Sequence, residues 1–276
     1  MRLERFRAAK KAEVEALRRA AEGGGLPAPW PGPRPDFAAA LTGRPCPGPL
    51  AVIAEYKRAS PSRGVICEAL SVEEAARQYA GAGAAALSIL TEAEWFHGEL
   101  SFLARAVGAL AAAGTPGIPL LRKDFIFDPL QVEATAATPA SALLLIVRLT
   151  PEASLLRDLR EQAERCGMAA VVEIFDAEDL ALARESGARI IQVNARDLDS
   201  LQVDRDAPLA LIRACPPERG EVWIAASGMD SFAHLARAAD AGYAAALVGT
   251  ALMARGEPGA ALTRLLASKV GDDHAD

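Results

Sequence analysis

From Leu50 onward one unit recurs eight times: a short apolar run, a polar loop, an Ala- and Leu-rich segment of helical spacing, and often a glycine before the next run. The apolar runs fall near 50–56, 84–90, 118–122, 142–148, 169–174, 189–193, 222–226 and 244–248. Runs this short, bounded by turn residues, predict strands buried on both faces. The segments 71–82, 99–113, 128–138, 151–166, 176–186, 205–214, 230–241 and 251–267 predict helices. Strict alternation of strand and helix makes a parallel sheet. Eight such units in about 220 residues fit a closed (β/α)8 barrel better than an open doubly wound sheet, although an open sheet is built from the same units.

Local signals support these boundaries. Ser71 with Glu74 spells a capping box, and Asp128-Pro129 and Thr150-Pro151 each spell an N-cap followed by a first-turn proline. Gly83, Gly167, Gly187 and Gly242 stand where helices should stop. Gly81-Ala82-Gly83 imitates a dinucleotide fingerprint, but it follows a helix and precedes a strand, so it reads as a helix stop. Ahead of the barrel, Leu3, Phe6, Val14 and Leu17 lie among charges at helical spacing over residues 2–21. A Gly/Pro-rich connector around Asp36 to Leu41 follows. The expected organisation is an N-terminal helical extension and connector (1–49), a barrel (50–268) and a polar, disordered tail (269–276) that holds His274.

The totals exclude several function classes. A net charge of −6 argues against a nucleic-acid binder. No apolar run approaches the ~18 residues of a membrane span. The N-terminal residues lack the apolar core of a secretory signal, which predicts a cytoplasmic protein. Cys46, Cys67, Cys166 and Cys215 are far apart in sequence, and neither His97 nor His234 is paired at metal-ligand spacing, so no metal or redox site is expected.

In a barrel the chemistry belongs at the carboxyl ends of the strands. The first strand delivers Glu55 and Lys57, which share a side, and then Ser60 in a hydroxyl-rich loop. The third ends at Lys123 and Phe125, the fifth at Glu173, the sixth at Asn194 with Arg196 beyond, the seventh at Ala226-Ser227-Gly228 and the eighth at Gly249-Thr250. Each polar group has an ordinary explanation alone, as a strand-end ion pair, a solvated lysine or a turn former. Their convergence on one rim points to an active site. Ser60, Gly228, Gly249 and Thr250 suit a phosphate. Lys57, Lys123, Glu55 and Glu173 would surround reacting carbons, and a lysine held beside another cation can serve as a general acid. No cofactor motif accompanies them.

The segments IAEYKRASPSRGVI, LLRKDFIFDP, VVEIFDAEDL, IIQVNARDL, ASGM and ALVGTALM stand in the order and spacing of the indole-3-glycerol phosphate synthase family, which the chain resembles from about residue 1 to 268. The resemblance implies a (β/α)8 barrel with an N-terminal helical extension. It also implies cofactor-free and metal-free conversion of 1-(2-carboxyphenylamino)-1-deoxyribulose 5-phosphate to indole-3-glycerol phosphate, CO2 and water in tryptophan biosynthesis. It assigns Lys123 as the general acid on the ketone oxygen and Lys57 as the partner of the anthranilate carboxylate and a second proton donor. Glu173 becomes the other acid/base group of the dehydration, and Glu55 the orienting carboxylate. Asn194 would hold the ribulose hydroxyls with Arg196 in support. Ser60, Gly228, Gly249 and Thr250 match the phosphate cradle, with Ser227 beside it, and Phe125 and Leu144 would pack on the aromatic ring. Which lysine acts in which step stays open. The implied partner is a small phosphorylated substrate, with the protein either a monomer or an associate of other tryptophan-pathway enzymes.

Two positions depart from the family pattern. Ala226 stands where a glutamate is usual before Ser-Gly, and Glu99 stands where a serine is usual after Phe96-His97-Gly98. They predict activity that is present but reduced. The competing readings are a sugar-phosphate isomerase of the phosphoribosylanthranilate type and a silent barrel kept as a binding partner.

Overall fold

The computed structural model describes residues 2–43, 47–197 and 200–267. Cys46 and the segment 269–276 lie outside the described residues. Helices α1 (Arg2–Glu22) and α2 (Phe37–Thr42) precede β1 (Ala51–Tyr56), and a two-residue hairpin, β2 (Ala59–Ser60) and β3 (Gly64–Val65), follows it. The alternation then runs α3 (Val72–Gly81), β4 (Ala86–Leu90), α4 (Ser101–Ala112), β5 (Leu120–Ile126), α5 (Pro129–Ala136) and β6 (Ala142–Ile146). It continues through α6 (Ala153–Arg165), β7 (Ala169–Ile174), α7 (Ala177–Glu185), β8 (Ile190–Asn194), α8 (Asp206–Ala214), β9 (Val222–Ala226), α9 (Phe232–Ala241) and β10 (Ala245–Val248), ending in α10 (Thr250–Met253) and α11 (Pro258–Leu266). Among the described residues the eight longer strands pair in parallel and close in the order β1-β10-β9-β8-β7-β6-β5-β4. This is the expected (β/α)8 barrel.

Two cores follow from strand alternation. Side chains such as Ile53, Leu121, Leu144, Val171, Ile190 and Ile224 fill the barrel, and Val52, Tyr56, Leu143, Val172 and Trp223 pack outward against the helices. Both faces are buried, which is why most of the strands read as nearly continuous apolar runs. No described helix is long and apolar enough to cross a membrane.

Three local expectations need correction. The third barrel strand was expected at 118–122 but runs to Ile126, with a register shift against β6 between Arg122 and Ile126. Its three charges do not end it because each is matched, Lys123 by Glu173 across the cleft. Arg122 donates to Thr135 Oγ1 at 2.7 Å and Asp124 Oδ2 at 2.9 Å, and Lys10 of α1 meets Asp124 Oδ1 at 2.8 Å. Thr150 does not cap the next helix. A 3-10 turn (Val147–Leu149) intervenes, the Thr150 hydroxyl donates to Ile146 O, and α6 begins at Ala153. The last expected helix is two, because Gly256 takes φ +70° and Pro258 restarts the chain as a first-turn residue.

Of the capping signals, Asp128 forms a complete box with Gln131. Ser71 accepts from Glu74 N at 3.2 Å, but the Glu74 carboxylate binds Arg77 and Gln78 instead of reaching back. Gly83, Gly167, Gly187 and Gly242 all take the left-handed conformation, as expected of helix stops.

Helix α1 does more than precede the barrel. Phe6 and Val14 are buried and Leu17 is half-buried. The Phe6 ring stacks on Phe125 of β5 with centroids 4.1 Å apart, which lays the helix across the carboxyl end of the barrel.

Candidate active site

The carboxyl ends of β1 and β4–β10 frame a cleft that opens to solvent at its mouth. Glu55, Lys57, Ser60, Lys123, Phe125, Leu144, Glu173, Asn194, Arg196, Ser227 and Thr250 all line it. Gly228 and Gly249 line an adjoining alcove that shares Thr250, Ser227 and Arg196 with the cleft. Residues from position 55 to position 250 are thus brought together as the strand ends predicted. Ser60 faces the main chamber. Ser62 and Arg63 reach the alcove beside Gly228 and Gly249.

The charged groups form two pairs. Lys57 Nζ lies 2.8 Å from Glu55 Oε1, and Lys123 Nζ lies 3.7 Å from Glu173 Oε2. Both carboxylates are nearly inaccessible, while the lysines keep 14% and 18% of their side-chain surface exposed and so present their ammonium groups to a ligand. Each carboxylate also rests on a neutral donor from its register partner on the neighbouring strand. Ser88 of β4 lies 3.4 Å from Glu55 Oε2, and Gln192 of β8 donates to Glu173 Oε2.

Asn194 Oδ1 accepts from Ser227 Oγ at 2.8 Å and from the Arg196 backbone at 3.0 Å, so the group it can offer a ligand is its Nδ2 amide. Ser227 and Gly228 take φ +68° and +76°, an uncommon geometry for a non-glycine residue. A Cβ at Gly228 would lie 2.9 Å from side-chain carbons of Arg205 and Val203. Burial pushes the Arg196 guanidinium below its ordinary value, and the neighbouring Arg63 charge pushes it further, against Glu55. Two cations that repel each other at a polar alcove are matched by an anion.

The opposite wall is apolar, with Phe6, Phe96, Phe125 and Leu144. The loop that carries Phe96 is held by Glu92, whose buried carboxylate accepts from the backbone of Glu94, Trp95 and Phe96. Sequence reasoning missed Phe6, Glu92, Ser88 and Gln192. Phe6 belongs to an ordinary amphipathic stripe, and nothing local says that its helix returns to the barrel mouth. Ser88 and Gln192 did carry a signal, as polar residues inside otherwise apolar strands.

Gly249 is close-packed for a reason of space. A Cβ there would stand 2.3 Å from Glu55 Oε1 and 3.1 Å from Lys57 Nζ. The atoms it would meet are side-chain tips, so we expect Gly249→Ala to push the Glu55–Lys57 pair aside at a cost of about 1 kcal/mol, the low end of overpacking, read as a small fall in the urea midpoint. An unchanged midpoint would show that the Glu55–Lys57 pair yields freely.

The sequence matches the family described as indole-3-glycerol phosphate synthase over residues 3–265. The chain belongs to the indole-3-glycerol phosphate synthase family. The curated member from Desulfotalea psychrophila is 38% identical over 267 residues, spanning 95% of this chain and 97% of that one. The member from Mycolicibacterium vanbaalenii is 41% identical over 217 residues, 79% of this chain and 76% of that one. Among solved structures, a 3-hexulose-6-phosphate synthase superposes with a TM-score of 0.60 at 18% identity, over 78% of this chain and 98% of the other. A thiamine phosphate pyrophosphorylase from Pyrococcus furiosus does so with a TM-score of 0.55 at 13% identity, over 79% and 95%. Those two share the barrel architecture. At the position where the family pattern carries a glutamate, Ala226 is buried on the cleft wall next to Ser227.

Proposed function

We propose that this cleft closes the indole ring of 1-(2-carboxyphenylamino)-1-deoxyribulose 5-phosphate, releasing CO2 and water and leaving indole-3-glycerol phosphate. The observation that carries the reading is the pair of lysine–carboxylate couples on one rim, set between an aromatic wall and an arginine-bearing alcove. An isomerase of the phosphoribosylanthranilate type would also hold an aromatic ring and a phosphate, but it would not need the Glu55, Lys57 and Lys123 set.

The substrate ring lies against Phe125 and Leu144, and the phosphate sits in the alcove of Gly228, Gly249 and Thr250, facing Arg63 and Arg196. Ser60 lines the main chamber, and Ser62 and Arg63 reach the phosphate alcove. Lys57 meets the ring carboxylate, and Asn194 donates to the ribulose hydroxyls, with Ser227 fixing its amide. Lys123 protonates the ketone oxygen as the carboxylate-bearing ring carbon forms the new C–C bond, a step that needs an ammonium within hydrogen-bond reach. The ring nitrogen becomes an iminium. The C–CO2 bond then breaks, and its electrons restore the aromatic ring and neutralise the nitrogen. Glu55 and Glu173 stabilise the intervening positive charge. In the last step the hydroxyl leaves as water with a proton from a lysine, and Glu173 takes a proton from the carbon beside nitrogen, which completes the indole.

Purified protein mixed with this substrate should produce a rise in indole fluorescence that is saturable in substrate. Folded protein that gives no rise would refute the proposal. Ala226 leaves all four acid/base groups in place, so turnover is expected, at a lower rate than an Ala226→Glu variant shows.

A further inference from the structure

We propose that Gln192 is a positioning residue for this reaction, holding the Glu173 carboxyl through an amide able to partner it in both protonation states. The inference rests on the reading of the cleft given above and extends it to a side chain below the cleft floor.

Gln192 is fully buried inside the barrel, level with Glu173 on the adjacent strand. Its other lateral neighbour is Ile224, and Ile146 stands beyond Glu173, so the pair sits in an apolar layer. Gln192 Nε2 donates to Glu173 Oε2, but Gln192 Oε1 is buried with no hydrogen-bond partner among the described residues. An orphaned carbonyl in an apolar layer is costly, and an aliphatic residue would avoid the cost. A polar side chain that stands here in spite of the cost suits a site where the demand alternates. An amide carries a donor and an acceptor on one rotor. With Glu173 ionised, Nε2 donates to it. Once Glu173 has taken the proton from the substrate carbon, its O–H becomes a donor, and a half-turn of the amide presents Oε1 to accept. The carboxyl keeps a partner through the step and stays beside Lys123.

The charged groups that share the cleft with Glu173 are Lys123, 3.7 Å away, and Asp124 from β5, Glu55 and Lys57 from β1, Glu92 from the loop after β4, and Arg196 after β8. The flanking β6, β8 and β9 present Leu144 and Ile146, Gln192 and Asn194, and Ala226, none of which titrates.

The test compares wild type with Gln192→Met, which keeps the length of the side chain and removes the amide, and with Gln192→Leu in case the first variant folds poorly. Turnover by indole fluorescence from about pH 5 to 9 should show kcat reduced about tenfold, part of what a positioned acid or base contributes. KM should stay within about twofold, and the acid limb of the kcat profile should move to higher pH, because the amide's bond to the ionised carboxylate is the stronger of its two bonds. In a Glu173→Gln background, Gln192→Met should cause little further loss. A profile that is scaled but not moved, or losses that simply multiply, would overturn the proposal. Should wild type not turn over this substrate at all, the assigned reaction fails on its own, and Gln192 is judged by urea unfolding of the same four proteins. A Gln192–Glu173 coupling that varies with pH upholds the pairing, and one that is absent or constant with pH refutes it.

Discussion

Lys123→Ala should lose about 10²–10⁴-fold in kcat, the contribution of a positioned proton donor, while the barrel stays folded. The Lys123 ammonium is 3.7 Å from Glu173, too far for a strong charge-assisted hydrogen bond, and the Glu173 carboxylate keeps its hydrogen bond from Gln192 once the lysine is gone, so the fold survives the change. Substrate affinity should change far less than turnover, because the phosphate alcove and the aromatic wall do not include this side chain. Lys123→Met, which keeps the aliphatic stem, should lose the same amount. Stopped or steady-state indole fluorescence together with a thermal melt separates the effects. A variant retaining more than about a tenth of wild-type kcat would remove Lys123 from the proton-donor role.

Arg122→Met should cause the largest loss of stability, about 3–5 kcal/mol, because it deletes one member of a buried charge network and leaves the others uncompensated. The Arg122 guanidinium is 2% exposed and donates to Thr91, Gln131, Thr135, Glu13 and Asp124. Lys10 completes the network through Asp124 and Glu13, so the strand carrying Lys123 is tied to α1 by charge as well as by the Phe6–Phe125 stack.

Burial alone would raise the Asp124 carboxyl, but Arg122 and Lys10 more than reverse this and hold it at about 2. The folded value lies below the unfolded one of roughly 4. Its stabilisation, about 2 kcal/mol, is therefore present in full above pH ~4 and is lost as pH falls from there toward ~2. In wild type the urea midpoint should fall over that window. In Arg122→Met the midpoint should already be low at pH 7, the acid-dependent fall should begin at higher pH, and trypsin should cut within α1 sooner. An Arg122→Met protein with an unchanged midpoint at pH 7 would show that Asp124 is satisfied by Lys10 alone.

Much of the site was readable from the chain because a barrel converts sequence position into place. A polar residue at the end of an apolar strand must reach the same rim as every other such residue, whatever its distance along the chain. Glu55, Lys123, Glu173 and Asn194 were found in this way. Where the reading failed, the partner came from elsewhere. Arg122 and Asp124 look like the end of a strand only because Lys10 and Glu13, more than a hundred positions away, are invisible from their neighbourhood. Thr150 looked like a cap because its hydroxyl has two backbone uses, and the 3-10 turn took it.

The amino-acid order alone determined the eightfold alternation, hence a parallel sheet that suits a closed barrel better than an open one, and the alternation of side chains along each strand, hence which groups share a face at its carboxyl end. Those follow from local periodicity and from the need to bury every strand on both faces. Only the tertiary structure decided that α1 folds across the mouth with Phe6 on Phe125, that a buried salt network joins it to the Lys123 strand, and that Gln192 meets Glu173. Each of these depends on pairing between segments remote in sequence, where long-range packing and desolvation set the energy and no local pattern records it.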